Sequence, residues 1–245
     1  MDGVKTGVRK HLEAFFERHS VTVRAPRGEV IVHAEDEPFG VFYIESGFIK
    51  VFSLNALGTQ YVHVLYGPGD YFPLIWIIPD NHRNLYFESM TPMVLKRVRP
   101  NEIYAAMQKS PELCLDVMRM GLAQYGVILD RVHNLEYRFA RERLVYCLLS
   151  LGRRFGGPCE GGREIAIKVS HQILASNINL SRESVGRELD RLVRKDMIEI
   201  KSGRVLLKDI PGLIKQLPGT VPTDWLDLVS PTTVVAETLE PELTV

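Results

Sequence analysis

The sequence predicts an α+β chain: an antiparallel β jelly roll, then a long helix, then a winged helix-turn-helix. Three observations carry that prediction. Short β-rich runs broken by glycines fill the first hundred residues. A seven-residue apolar seam follows Pro111, and two serine-capped helices ahead of a short hairpin lie near the C-terminus. The 245 residues are enough for two domains, and 45% hydrophobic content is enough to give each a core.

Residues 10 to 18 read as a short amphipathic helix. The runs EVIVHA, FGVFYIESG, FIKVFSL, QYVHVLY and MVLKRV come next at short intervals, with Gly28, Gly40, Gly47, Gly58, Gly67 and Gly69 at the breaks. Glycine accepts the positive φ of tight hairpins, and no long helix separates the strands, so an antiparallel barrel is expected and a parallel βαβ fold is not. This sensor-like unit is assigned residues 1–111.

A helix starts at Pro111, a residue suited to the first helical position. Cys114, Met118, Gly121, Tyr125, Ile128, Val132 and Leu135 recur at alternating spacings of four and three, flanked by Leu115, Leu122 and Leu129. Such a seam fits either a second copy of the same helix or the helix's own barrel. The regularity favours a symmetric dimer through residues 112–135, and residues 112–136 are assigned as dimerisation helix and hinge.

Residues 138 to 155 read as another helix, and GGPCEGG at 156 to 162 as a flexible turn. Ser170 then precedes HQILASNI and Ser181 precedes RESVGRELDRLVRKD, each serine placed to cap a helix start. Asn179 and Leu180 lie between them, and asparagine tolerates the left-handed conformation that a sharp turn needs. Small Ala175 allows close helix approach. Val185, Leu189, Leu192 and Val193 form the apolar stripe of the second helix, while Glu183, Arg187 and Arg194 share the opposite face. MIEIKSGRVLLKD reads as a hairpin turning at Ser202 and Gly203, a wing with Lys201, Arg204 and Lys208 available for phosphates. The winged domain is assigned residues 137–215.

Recognition-helix N-termini reach base edges. An arginine fork can bond guanine O6 and N7, and a glutamate can accept from cytosine N4, so Arg182, Glu183 and Arg187 are the candidate base readers. Ser170, Ser181, Lys201 and Arg204 are the candidate phosphate contacts. The net charge of zero conceals an uneven distribution. Residues 136–215 hold 16 Lys/Arg against 10 Asp/Glu, whereas residues 216–245 hold five acids and no base. The positive field that attracts duplex DNA is therefore local. Residues 216–245 are expected to be a loosely attached, disordered acidic tail, the rival reading being a small docking element around Trp225, Leu226 and Leu228.

LSRESVGREL, PRGEVIV, VFYIESGFIKVF, GPGDYF and the Asn134-Leu135 junction closely resemble the CRP/FNR family of bacterial transcription regulators, over roughly residues 20 to 210. The resemblance implies a cyclic-nucleotide-binding-like barrel and a homodimer on a palindromic site, with Arg182, Glu183 and Arg187 reading a half-site that contains GTG. It also implies RNA polymerase as a partner and no enzymatic activity. No nucleophile-base set, metal-spaced cluster or phosphate loop argues for catalysis.

The departure lies in the effector pocket. Cyclic-nucleotide-binding members follow the GD and aromatic with a Gly-Glu pair for the ribose, and later carry an Arg-Ser or Arg-Ala pair for the phosphate. Here Phe72, Pro73 and Leu74 stand in the first place, and Arg83-Asn84 only approximates the second. The run Leu74 to Ile78, which includes Trp76, offers an apolar wall where a cyclic phosphate needs a charged fork. Ile128 and Leu129 stand where cAMP-responsive members present hydroxyls. The candidate effector pocket is therefore Phe72, Leu74, Trp76, Arg83, Asn84, Tyr125, Ile128 and Leu129, with control by cAMP or cGMP disfavoured. Three scattered cysteines, Cys114, Cys147 and Cys159, cannot supply an iron-sulfur cluster and read as buried or incidental thiols. Haem on His63 or His82 is also disfavoured, which leaves an unidentified small effector or none. With no apolar run of about 18 residues and no export signal, the expected location is the cytoplasm, away from membranes.

Overall fold

The computed structural model describes residues 9–37, 39–78, 84–219 and 225. Helix α1 (Lys10–His19) leads into strands β1 (Val21–Ala25), β2 (Val30–Val32), β3 (Val41–Ser46), β4 (Ile49–Leu54), β5 (Gln60–Tyr66) and β6 (Tyr71–Phe72). A 3-10 turn at Leu74–Ile77 precedes β7 (Tyr86–Ser89) and β8 (Met93–Val98). The strands form two antiparallel sheets, ordered β1-β8-β3-β6 and β2-β7-β4-β5, which face each other as a jelly roll. Alternation sets the inward side: Phe42, Ile44, Ile49, Val51, Val64, Phe87 and Leu95 are all buried in one core.

Helix α2 (Pro100–Met107) follows the barrel, and α3 (Pro111–Glu136) runs for 26 residues. Ser110 caps α3, its Oγ accepting from Leu113 N at 3.2 Å. The row Leu113, Val117, Met120 and Val127 packs on the barrel and its neighbouring helices. Asp116, 2% exposed, lies in the same row, and its carboxylate accepts from the His11 and Leu12 amides at 2.8 and 3.2 Å. It thus supplies the cap that Arg9 does not give α1, tying the two helices together. The predicted seam is on the other side. Leu115, Met118, Leu122, Tyr125, Ile128, Leu129 and Val132 are 47–67% exposed, so the seam is not what covers the chain's own barrel.

Extended residues around Tyr137 and Phe139 connect α3 to α4 (Ala140–Phe155). Helix α4 is buried on most sides, from Leu144 through Leu149, because the C-terminal domain is built around it. Strands β9 (Gly156–Cys159) and β10 (Gly162–Ile165) follow, then α5 (His171–Asn177), α6 (Arg182–Arg194), β11 (Ile198–Lys201), β12 (Arg204–Leu207) and the short α7 (Ile210–Ile214). GGPCEGG is therefore not a free turn: it forms most of a hairpin that extends the wing into a four-stranded sheet, β11-β12-β10-β9. Gly162 is required there. It has φ +149°, and an added Cβ would lie 2.1 Å from the Leu207 carbonyl oxygen.

The expectation of a loose tail needs correction at one residue. Trp225 is fully buried against Tyr146, with ring centroids 4.6 Å apart. Leu226 and Leu228 lie outside the described residues. No helix among those described is long and apolar enough to cross a membrane.

Candidate nucleic-acid interface

The C-terminal domain presents α6 by fixing it from behind. Ser170 Oγ accepts from Ile173 N at 3.2 Å to start α5, and Ser181 Oγ accepts from Ser184 N at 3.1 Å to start α6. Asn179 holds φ +54°, and the Leu180 amide closes the turn on the Ala175 carbonyl at 3.0 Å. Val185, Leu189 and Leu192 are at most 1% exposed and lock the inner face of α6 into the domain core. Val193, expected in this stripe, is 41% exposed, one position beyond the face that packs.

The outer face carries the base-reading candidates. Arg182, Glu183 and Arg187 are all exposed, the first two in the first turn of α6 and Arg187 one turn on. Arg187 Nη2 donates to Ser184 Oγ at 3.1 Å, which directs its fork along the helix toward the N-terminus. The Glu183 carboxyl sits below its ordinary range. The hydrogen bond from its own backbone N–H is the largest cause, followed by Ser181 and the nearby charges of Arg182 and Arg187. Arg182 and Arg194 have no ion pair among the described residues.

Beside α6 stands the wing, where Lys201 pairs with Arg204 across a two-residue turn at Ser202 (φ +51°) and Gly203 (φ +79°). Positive φ at both positions is the signature of a type I′ hairpin, whose twist matches the strands. The wing cations are engaged with acids: Lys201 with Glu199 at 2.9 Å, Arg204 with Glu164 at 2.9 Å, and Lys208 with Asp196. Exposed pairs of this kind are weak, and a phosphate can take the cation from its carboxylate. Between the start of α5, α6 and the wing runs a groove of about 340 Å³, lined in part by His171, Gln172, Arg182 and Gly203. Lys168 approaches it at Gly203. Nothing in the sequence marks Lys168, His171 and Gln172 except their proximity to the Ser170 cap. The structure places Ser170 and Ser181 as helix caps on this same face.

The candidate effector residues do not converge. Phe72 stacks on Phe42 at 5.2 Å and Phe87 at 5.3 Å inside the barrel, and Trp76 is buried in the same core, its ring edge-on to Phe39 at 5.6 Å. Leu74 belongs to a separate cluster with α1 and α2. Tyr125, Ile128 and Leu129 lie on the exposed side of α3, and Asn84 is exposed. Arg83 and His82 lie outside the described residues. No cluster of three or more His, Cys, Asp or Glu able to hold a metal ion occurs among the described residues.

Comparison with known proteins agrees with both halves of this architecture. Residues 22–110 match the cyclic nucleotide-binding domain family, and residues 142–216 match the Crp-like helix-turn-helix domain family. The global nitrogen regulator of Nostoc sp. is 28% identical over 193 residues, 78% of this chain and 86% of that protein. The nitrogen fixation regulation protein FixK of Azorhizobium caulinodans is 28% identical over 71% of this chain and 69% of its own. Among solved structures, FixK2 from Bradyrhizobium japonicum superposes with a TM-score of 0.74 at 18% identity, covering 82% of this chain and 99% of that one.

Proposed function

The chain belongs to the CRP/FNR family of transcription regulators and is a DNA-binding regulator, and from that premise we propose that it acts as a homodimer on a palindromic site with GTG-containing half-sites, without control by cAMP. The observation that carries the proposal is the first turn of α6, where Arg182 and Glu183 stand exposed on a helix whose opposite face is locked into the core. With Arg187 one turn on, two arginine forks and one carboxylate can address adjacent guanine and cytosine edges in a major groove. Ser170, Ser181, Lys201 and Arg204 flank these residues and serve as phosphate contacts, which orient the helix without choosing sequence.

Dimerisation is supported by the exposed apolar seam of α3, seven side chains spread over nearly five turns. A two-fold axis along it brings like residues together and places two reading heads on one face. Independence from cAMP is supported by the stacked rings of Phe42, Phe72 and Phe87, which occupy the barrel interior with apolar surface. RNA polymerase is the proposed downstream partner, and the cytoplasm the proposed location.

Selection from randomised duplexes tests the reading directly. Enriched sequences should be palindromes with GTG half-sites whose centres lie about 34 Å apart, one helical turn. Enrichment of single, unpaired sites or of unrelated sequences overturns it. Calorimetric titration with cAMP should give no heat and no gain in DNA affinity, and a micromolar response would remove the second half of the proposal.

A further inference from the structure

Behind the reading head, a cavity of about 60 Å³ lies where β5, α3, α4 and α5 meet. His63, Arg131, Asn134, Cys147, Ser150 and Asn177 bring polar groups to it from all four elements. Three of those groups are buried with no hydrogen-bond partner: Arg131 Nε, Asn134 Oδ1 and Ser150 Oγ. Buried donors and acceptors are costly to leave unmade, and three converging on one cavity mark a place that accepts a polar guest.

Charge identifies the guest. Asp130 and Arg154 also line the cavity, but Asp130 is paired with Arg153 at 2.6 Å and Arg154 with Asp70 at 3.6 Å. Arg131 has no carboxylate partner among the described residues. Its neighbours do not neutralise it. Burial pushes the Cys147 thiol up to about 12, and burial together with the Arg131 charge holds the His63 imidazole below its ordinary value, so both are neutral near pH 7. One half-buried guanidinium therefore lines the cavity without a carboxylate to pair with.

We propose that this junction cavity is an effector site for a small carboxylate-type anion, held by the Arg131 fork together with Ser150 and the Asn134 amide. Asn134 offers its NH₂ when the amide turns over. At about 10–15 Å³ for each water-sized share, the space suits an anion of about four heavy atoms, the size of acetate or bicarbonate. Occupancy bears on the reading head because the cavity adjoins the clamp that holds it. Ser176 Oγ of α5 accepts from the Val62 amide of β5 at 3.0 Å and donates to the Gln60 carbonyl at 2.5 Å, and Asn177 Nδ2 reaches the Val62 carbonyl at 3.4 Å. A guest that draws α3, α4 and α5 together changes how firmly this clamp closes. The site is independent of which DNA sequence is read, because binding can be measured on the free protein.

The full chain is titrated with sodium acetate, and in parallel with bicarbonate and inorganic phosphate, at constant ionic strength against chloride. Binding is followed by calorimetry and DNA affinity by fluorescence anisotropy. Saturable binding of acetate or bicarbonate is expected, lost in Arg131→Gln and in Ser150→Leu, whose larger side chain fills the cavity without touching the charge. DNA affinity should shift at saturation in the unmodified protein and not in either variant. Circular dichroism establishes that the variants fold, and if Arg131→Gln does not, Ser150→Leu alone decides. Absence of saturable binding, binding equal in the variants, phosphate binding in place of the carboxylates, or binding that leaves DNA affinity unchanged each overturns the proposal.

Discussion

Replacing Leu122 by Ala should weaken the dimer without harming the helix that makes it. Leu122 is 67% exposed in the single chain, the most exposed large side chain of the α3 seam, and lies near its middle. Fully burying a leucine is worth about 1.5–3 kcal/mol, so covering the exposed two thirds contributes about 1–2 kcal/mol per copy. Two-fold symmetry counts it twice, about 2–4 kcal/mol for the dimer. At about 1.4 kcal/mol per tenfold, the dissociation constant should rise by about 30- to 700-fold, the upper part of that range being reached when Ala leaves a void. Alanine is the better helix former, so α3 itself is not weakened. Sedimentation velocity over a dilution series measures the constant, and anisotropy on full and half palindromes measures its consequence. Affinity for the full site should fall at protein concentrations below the new constant, while half-site affinity holds. An unchanged dissociation constant would refute the assignment of this face to a second copy.

Other side chains give equally direct tests. Arg187→Ala should cost about 1–3 kcal/mol of DNA binding and relax choice at one base pair; an unaltered preference in a selection experiment removes it from the base readers. Lys201→Ala should weaken binding to every sequence alike and reduce the salt slope by about 1, whereas a sequence-dependent loss contradicts a phosphate role. The Glu183 carboxyl, held below 4.5 by its own backbone N–H, by Ser181 and by two arginines, should titrate at low pH by NMR. Because its folded pKa is depressed, the stability it lends is present above the unfolded pKa and is lost as pH falls through the folded one. Ser181→Ala should move that midpoint up, and no movement would break the link between cap and carboxylate. Trp225→Ala removes a fully buried ring and should cost about 3–5 kcal/mol in urea unfolding; a loss typical of surface residues would show that the ring contributes no core packing.

What the sequence made legible was local. Ser170, Ser181, Asn179 and the Ser202-Gly203 turn each act through bonds made within a few residues, so their spacing alone located the two helices and the wing hairpin. Longer-range features were hidden. The strand character of residues 156–159 is set by pairing across to Gly162–Ile165, which in turn pairs with β12 some forty residues on; GGPCEGG shows no alternation that would reveal it. Trp225 is buried because Tyr146, nearly eighty residues earlier, receives it, and an acidic, proline-rich surrounding argues the other way. The run from Phe72 to Ile78 announces apolar surface, yet only the partners decide whether such surface lines a pocket or fills a core. Here Phe42 and Phe87 stack on Phe72, and the rings fill it.

The junction that the sequence could not show also constrains how control must work. Barrel and α3 form one body, joined by the Asp116 carboxylate on α1 and by Gln124 on the Tyr71 carbonyl. The C-terminal domain meets that body through the Asp70–Arg154 and Asp130–Arg153 pairs, the edge-to-face contact of Phe48 with Phe155 and the Ser176 clamp on β5. Between them the backbone is extended only around Tyr137 and Phe139. The proposed palindrome would demand a fixed separation of two recognition helices, so rotation of either head about these residues would spoil the fit even with Arg182, Glu183 and Arg187 in place. Phe52, Val62 and Leu65 of the barrel are buried in the same apolar core as the C-terminal domain, and beside them the angle is held by ion pairs and hydroxyl bonds, each individually weak. Such contacts can be redistributed by a modest differential binding energy at one point among them, whereas a barrel interior packed with stacked aromatic rings would first have to be emptied. Regulation of DNA binding is therefore expected to act on the polar junction around Arg131 and Arg154, and substitutions there should alter affinity for the full palindrome more than for its half.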